Sequence, residues 1–238
     1  MDSEIRFARP EQPETEEAVP LPVKPSPARF LLVRHGQSTW NHEHRIQGQL
    51  DPPLSEKGRS QAARLGRRLA GRRLAGFYSS DLMRAFETAQ LIAKPAGIDP
   101  TPVPELREIY LGDWEGLRSA EIAERYPEGW ADWQKEPSWD LVPGGEGAAL
   151  FETRVAAALE SIFKRHKQGE VLIVTHGGVI QVALHRIVGR SSHGLFAFKI
   201  QNASISVIEK ANGRTVVGGV NDIAHLESGS EERSDGLG

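Results

Sequence analysis

Two continuous apolar runs, Phe30-Leu31-Leu32-Val33 and Val171-Leu172-Ile173-Val174, alternate with helical stretches and predict an α/β layered fold with a mostly parallel sheet. Each run lacks the in-out alternation of a half-exposed strand, so each suits a strand covered on both faces. Both lead directly into a histidine followed by glycine, at Arg34-His35-Gly36 and Thr175-His176-Gly177-Gly178.

The remaining elements follow in order. Ser55 stands where an N-cap is expected for a helix through about Leu69, with Ala62, Leu65 and Leu69 on one face. Gly76-Phe77-Tyr78-Ser79 reads as a short strand. Ser80 is then expected to cap a helix from Asp81 to Ala93, stopped near Pro95. A helix is predicted from about Phe151 to His166 and another from Val179 to Val188. Ser204 to Glu209 and Thr215 to Val217 read as closing strands. Residues 1–28 hold six of the 15 prolines with several acids and no apolar period, which predicts a disordered or loosely ordered tail. Residues 227–238, ESGSEERSDGLG, read as a second tail, leaving one domain over 29–226.

Composition narrows the functions. The 238 residues include no cysteine, so disulfides, thiolate metal sites and a cysteine nucleophile are excluded. A net charge of −3 argues against bulk nucleic-acid binding. No apolar run is long enough to span a bilayer, and no membrane partner is expected. The N-terminal acids and prolines stand where a secretory signal needs basic and then apolar residues, so a cytoplasmic location is expected. His42 and His44 lack acidic or histidine companions at metal-binding spacing and read as solvated. The arginines between 59 and 73 read as the solvated face of an amphipathic helix.

In an open parallel sheet, ligands bind at the carboxyl edge of the strands. His35 and His176 both leave strands there, with Arg34 beside the first. Arg84 joins them from the first turn of the helix after Ser79-Ser80. Two guanidiniums, two imidazoles and helix N-termini make a pocket suited to phosphate.

These residues belong to a longer ordered pattern. LLVRHGQSTWN (31–41), Gln47-Gly48, PLSEKGRSQA (53–62), SSDLMRAFETAQ (79–90), LREIYLGDWEG (106–116) and VTHGGVI (174–180) together resemble the histidine phosphatase, or phosphoglycerate mutase-like, superfamily. The resemblance implies a three-layer sandwich, a mostly parallel central sheet flanked by helices. It implies that His35 is the nucleophile that becomes phosphorylated, and that Arg34, Arg84 and His176 hold the phosphate oxygens. Glu108 takes the position of the proton donor. Asn41, Gln47 and Gly48 fall where the family lines its pocket, and Gly177 is expected beside the ligand. The implied substrate is a small phosphorylated metabolite, with no metal and no other cofactor.

The chemistry agrees with those roles. Phosphoryl transfer needs positioning and neutralisation of charge on the equatorial oxygens, which paired arginines provide. A nucleophilic imidazole must be neutral, and nearby cations favour that form. Glu108 must start protonated to serve a leaving alkoxide, a form that a phosphate dianion beside it favours. Plainer roles exist for three residues: a surface ion pair for Arg84, a solvated acid or a pair with Arg107 for Glu108, and a turn or helix cap for Asn41. Trp130, Trp133 and Trp139 either roof the site or pack an inserted segment. Where relatives often read Gly-Glu-Ser, this chain has Gly145-Glu146-Gly147, so Glu146 is left outside the expected site.

Three functions fit: a phosphatase, a cofactor-dependent phosphoglycerate mutase, and a regulatory module with a decayed site. The intact histidines, arginines and Glu108 count against decay. The mutases carry a long basic insertion after the donor glutamate. Here Gly116 to Pro143 is acidic, with basic residues only at Arg118, Arg125 and Lys135, which favours a phosphatase.

Overall fold

A strand needs a partner and a helix needs a face to cover, and the apolar pattern supplies both. The computed structural model describes residues 27–192, 194 and 197–227. The expected tails therefore lie outside the described residues, apart from their inner ends. The chain runs β1 (Ala28–Arg34), α1 (Thr39–Glu43), α2 (Glu56–Leu69), β2 (Leu74–Ser79), α3 (Met83–Ala96) and β3 (Thr101–Pro102). It continues through α4 (Ser119–Arg125), α5 (Pro127–Lys135), α6 (Gly147–Arg165), β4 (Gly169–Thr175) and α7 (Gly177–Ile187). The hairpin β5 (Ile205–Ala211) and β6 (Arg214–Asp222) and the short α8 (Ala224–Glu227) complete it.

The six strands lie in the order β3-β2-β4-β1-β5-β6. The first four are mutually parallel, and β5 and β6 are antiparallel additions beside β1. Odd and even positions of the apolar runs face different layers. Phe30, Leu32, Val171 and Ile173 pack with Phe151, Val155 and Leu159 of α6 and Ile180 and Leu184 of α7. Leu31, Val33, Leu172 and Val174 pack with Leu65 and Leu69 of α2 and Ala85, Ala89 and Ile92 of α3. This two-sided burial is why the strands read as unbroken apolar runs, and it makes the three-layer sandwich.

Five local expectations need correction. Leu82, not Ser80, is the N-cap residue of α3, and the Asp51 carboxylate, from outside the helix, accepts the Met83 N–H at 2.8 Å. The helix also runs on through Pro95 to Ala96, ending at left-handed Gly97. A proline in the last turn removes only one backbone bond, so it marks the end without enforcing it earlier. Helix α6 starts four residues before Phe151 because Asp140, in the preceding turn, accepts the Ala148 N–H at 2.8 Å. Helix α7 begins at Gly177, directly after His176 as N-cap residue. Strand β6 is longer than expected because Asn212 and Gly213, both at positive φ, close a two-residue hairpin onto β5. No helix among the described residues is long and apolar enough to cross a membrane.

Candidate active site

The register of the sheet brings the site together. Val33 and Arg34 pair with Val174 and Thr175, while Ser79 also pairs with Val174. Three strands therefore end level, and the residues just beyond each meet. The His35 N–H donates to Thr175 O at 2.9 Å and the Ser80 N–H to Val174 O at 2.9 Å. The two imidazoles lie 5.1 Å apart between ring centroids.

His35 is buried, with Nδ1 2.7 Å from the carbonyl oxygen of Gly36. A carbonyl only accepts, so Nδ1 carries the proton and the neutral ring keeps its lone pair on Nε2. Burial, then the charges of Arg84 and Arg34, hold this imidazole well below its ordinary range, against a smaller pull from the Gly36 carbonyl. The direction is the one expected from the sequence, with burial rather than the cations as the largest cause. His176 is also depressed well below that range, by burial first and then by Arg84, His35 and Arg34.

The tautomer of His176 follows from Ser80. Its hydroxyl oxygen accepts the Leu82 N–H at 3.3 Å, and its own proton, taken as donated to His176 Nε2 2.8 Å away, makes that nitrogen the acceptor. Nδ1 of His176 is then an N–H donor, buried and without a partner. Arg34 and Arg84 likewise each keep a buried Nε without a partner. Arg34 donates from Nη1 to Ile200 O at 2.6 Å. Arg84 donates to Leu50 O at 2.8 Å and Gly48 O at 2.6 Å, and desolvation holds its pKa down at about 10, still charged at neutral pH. It is almost fully buried, with Asp51 at 3.9 Å, and the charges of Glu108, Asp51 and Glu115 act on it against desolvation. The surface ion pair considered for Arg84 is thus not what the fold makes of it.

Glu108 does not pair with Arg107, which binds Asp81 through Nε at 2.7 Å and Nη2 at 2.5 Å. Its carboxylate instead accepts the N–H of Gly178 at 3.0 Å and of Ile109 at 3.1 Å, at the start of α7. A side chain on Gly178 would overlap Glu108 Oε1, so glycine there makes room for the acid. The Glu108 backbone is tied down by Arg154, which donates to the carbonyl oxygens of Glu105, Arg107 and Glu108. Arg154 is in turn clamped by Glu146 at 2.6 and 2.9 Å, and Glu146 also accepts the Tyr110 N–H at 2.7 Å. Glu146 therefore serves the site from behind, in the region that sequence reasoning set aside.

One cavity of about 830 Å³ gathers most of the expected residues: Arg34, His35, Gln47, Gly48, Arg84, Glu108 and Gly177. Asn41 stands one layer back, as the plainer reading had it. It forms the capping box of α1 with Ser38, and its Oδ1 accepts from Asn202 Nδ2 at 3.1 Å. Gly36 faces α2 rather than a ligand, since a Cβ there would press on Gly58. Two contributors were missed. Ser80 was read as a helix cap, and Glu115 carried no sequence signal of its own. The Glu115 carboxylate accepts the N–H groups of Gln49 and Leu111 at 2.7 and 2.9 Å and so fixes the loop whose carbonyls hold Arg84. Gly48, at positive φ, lies where a side chain would strike Glu115.

The tryptophans do both things weighed for them. Trp114 meets Trp130 and Trp133 edge to face, and Trp139 packs on buried Phe151, yet all four also line the cavity. His42 and His44 are exposed, and among the described residues no three or more histidine or acidic side chains converge as a metal ion would require.

This arrangement coincides with a family pattern: the model of the histidine phosphatase superfamily, branch 1, matches residues 30–223. The chain belongs to the histidine phosphatase superfamily. It is 38% identical over 209 residues to a metal-independent phosphoserine phosphatase of Arabidopsis thaliana, covering 87% of this chain and 86% of that protein. It is 36% identical over 198 residues to phosphoserine phosphatase 1 of Hydrogenobacter thermophilus, covering 83% and 94%. Among solved structures, Bacillus stearothermophilus YhfR superposes with a TM-score of 0.77 at 35% identity, over 84% of this chain and all 100% of that one.

Proposed function

We propose that this chain is a cytoplasmic, metal-independent phosphomonoester hydrolase that acts on small phosphorylated metabolites through a phosphohistidine at His35. The observation that carries the reading is the fixed tautomer of His35, with its Nε2 lone pair free in a cavity that Arg34 and Arg84 also line and with the His176 ring 5.1 Å away. The phosphatase names of the relatives support it.

In the first step His35 Nε2 forms a bond to phosphorus as the bond from phosphorus to the leaving oxygen breaks. Arg34, Arg84 and the His176 Nδ1–H neutralise the equatorial oxygens. The Gly36 carbonyl steadies the positive ring that results. Glu108 gives its proton to the departing alkoxide. In the second step the ionised Glu108 takes a proton from water, whose oxygen attacks phosphorus and displaces His35 neutral. The proton that Glu108 gives to the alkoxide in the first step is restored by the attacking water in the second.

The mutase reading gains one observation, since Arg45 and Lys199 also line the cavity and a second anionic group needs cations. Arg45, however, is already engaged by Glu43, Glu121 and the Gly116 carbonyl. Phosphate release from a panel of phosphomonoesters, run beside phosphoglycerate isomerisation primed with 2,3-bisphosphoglycerate, is the test. Release should exceed isomerisation by a wide margin. A mutase rate above the best hydrolysis rate would overturn the hydrolase assignment and leave the phosphohistidine chemistry standing.

A further inference from the structure

The cavity is far larger than a phosphate needs, and its walls differ sharply in character. At about 830 Å³ it falls in the size range of pockets that enclose a drug-sized ligand. The strand ends and the turn into α7 line it with the cations and Glu108. The wall from Trp114 through α5, with Ile46 and Phe198, is mostly apolar, with Ser119, Arg45 and Lys199 as its polar members. Trp130 and Trp133 are half-buried, so each keeps surface to offer, and Trp114 is wedged against both at 5.9 and 5.4 Å. Packed rings of this kind present contact area already ordered, so little side-chain freedom is lost on binding.

Charge in the cavity narrows the ligand further. Among the described residues, Glu108 is the one acid lining it, and both carboxylate oxygens already accept backbone N–H groups. An ammonium group would find no other carboxylate, and it would meet Arg45 and Lys199 on the same walls. A desolvated cation without a partner is costly.

We infer that the ester hydrolysed best has a bulky apolar leaving group, aromatic by preference and free of any ammonium, seated against Trp130 and Trp133. This rests on the hydrolase reading and names its substrate class. It sets the chain apart from an enzyme built around an amino-acid phosphate.

The test compares kcat/KM for 3-phenylpropyl phosphate, ethyl phosphate, phosphoserine and phosphocholine; the first two have leaving alcohols of matched basicity, and the two ammonium-bearing alcohols are the better leaving groups, so basicity cannot explain a lead of the phenylpropyl ester. The phenylpropyl ester should lead ethyl phosphate by roughly tenfold or more, mainly through a lower KM, as burial of apolar groups in a matching pocket does. Trp130→Ala and Trp133→Ala should each cut that ratio several-fold, with folding checked by thermal melting. Should an alanine variant fail to fold, Trp130→Leu and Trp133→Leu, which keep apolar bulk, should still lower the ratio. A ratio near one, a ratio untouched by these variants, or phosphoserine or phosphocholine as the best substrate would overturn the inference and leave the hydrolase reading intact. Release from none of the four would instead fail the hydrolase reading, and this inference with it.

Discussion

Single hydrogen bonds decide which atom does what. Gly36 O sets the proton on His35, Ser80 sets it on His176, and the Gly178 N–H aims Glu108. Replacing Glu108 with Gln should slow esters of alkyl alcohols by about 10²–10⁴-fold, the usual worth of a general acid. Aryl esters, whose leaving groups need less help, should lose much less in the phosphorylation step measured by rapid quench. Equal losses for both would remove Glu108 from the donor role. Gly178→Ala should mimic the effect by displacing the carboxylate, at a cost of roughly 10²-fold in kcat on alkyl esters. Steady-state kinetics on the two ester types checks it, and unchanged alkyl rates would show that the contact does not position the acid. Arg34, His35 and His176 were legible because they adjoin apolar runs that announce a strand end. Glu108 was legible only through its motif, since nothing in its immediate sequence says that it turns toward α7 rather than toward Arg107. Ser80 was misread because a serine before a helix usually caps it, and the tertiary partner that claims its hydroxyl lies 96 residues away.

Pairs of elements hold these atoms in place. Helix α6 contributes Arg154, which binds the backbone carbonyls of Glu105, Arg107 and Glu108 and is itself locked by Glu146. Arg154→Lys keeps the charge and loses the fork that reaches several acceptors at once. It should lower kcat on alkyl esters by about 10–10²-fold through misplacement of Glu108. The alkyl-to-aryl rate ratio should fall as it does for Glu108→Gln, a signature that plain destabilisation would not give. A proportional loss on both esters would assign Arg154 to structure alone. At this scale the sequence was a partial guide. Helices α2 and α7 were readable from apolar periodicity, whereas α4 and α5 sit in a span whose tryptophans and prolines hide the period. The start of α6 was missed because its cap, Asp140, comes from a preceding turn, and the length of β6 because the Asn212-Gly213 turn signal was not used.

Across the whole molecule, two histidines are folded into a cationic, buried site in their neutral form. Above their ordinary value of 6.5 both folded and unfolded chains leave them neutral, and they contribute no pH dependence. As pH falls below that value the unfolded chain takes up the protons and the folded one does not, because both folded values lie well lower. Stability should therefore drop on acidification, by up to about 1.4 kcal/mol per pH unit for each histidine once the unfolded ring is fully protonated. Chemical denaturation between pH 7 and 5 measures it, and His176→Asn should flatten the slope. A slope unaltered by that change would mean the ring is protonated in the folded state. The sheet, the three layers and the shared strand edge were all readable from two apolar runs. The leaving-group chamber was not, because its walls come from segments far apart in sequence. The central claim remains the bond between His35 and phosphorus. Rapid acid-free quench of enzyme turning over a phosphomonoester, followed by intact-mass and peptide analysis, tests it most directly. One acid-labile phosphoryl group on His35, absent from an inactive His35→Ala variant, is the predicted result. Full turnover by His35→Ala, or phosphate found on another residue, would contradict the account.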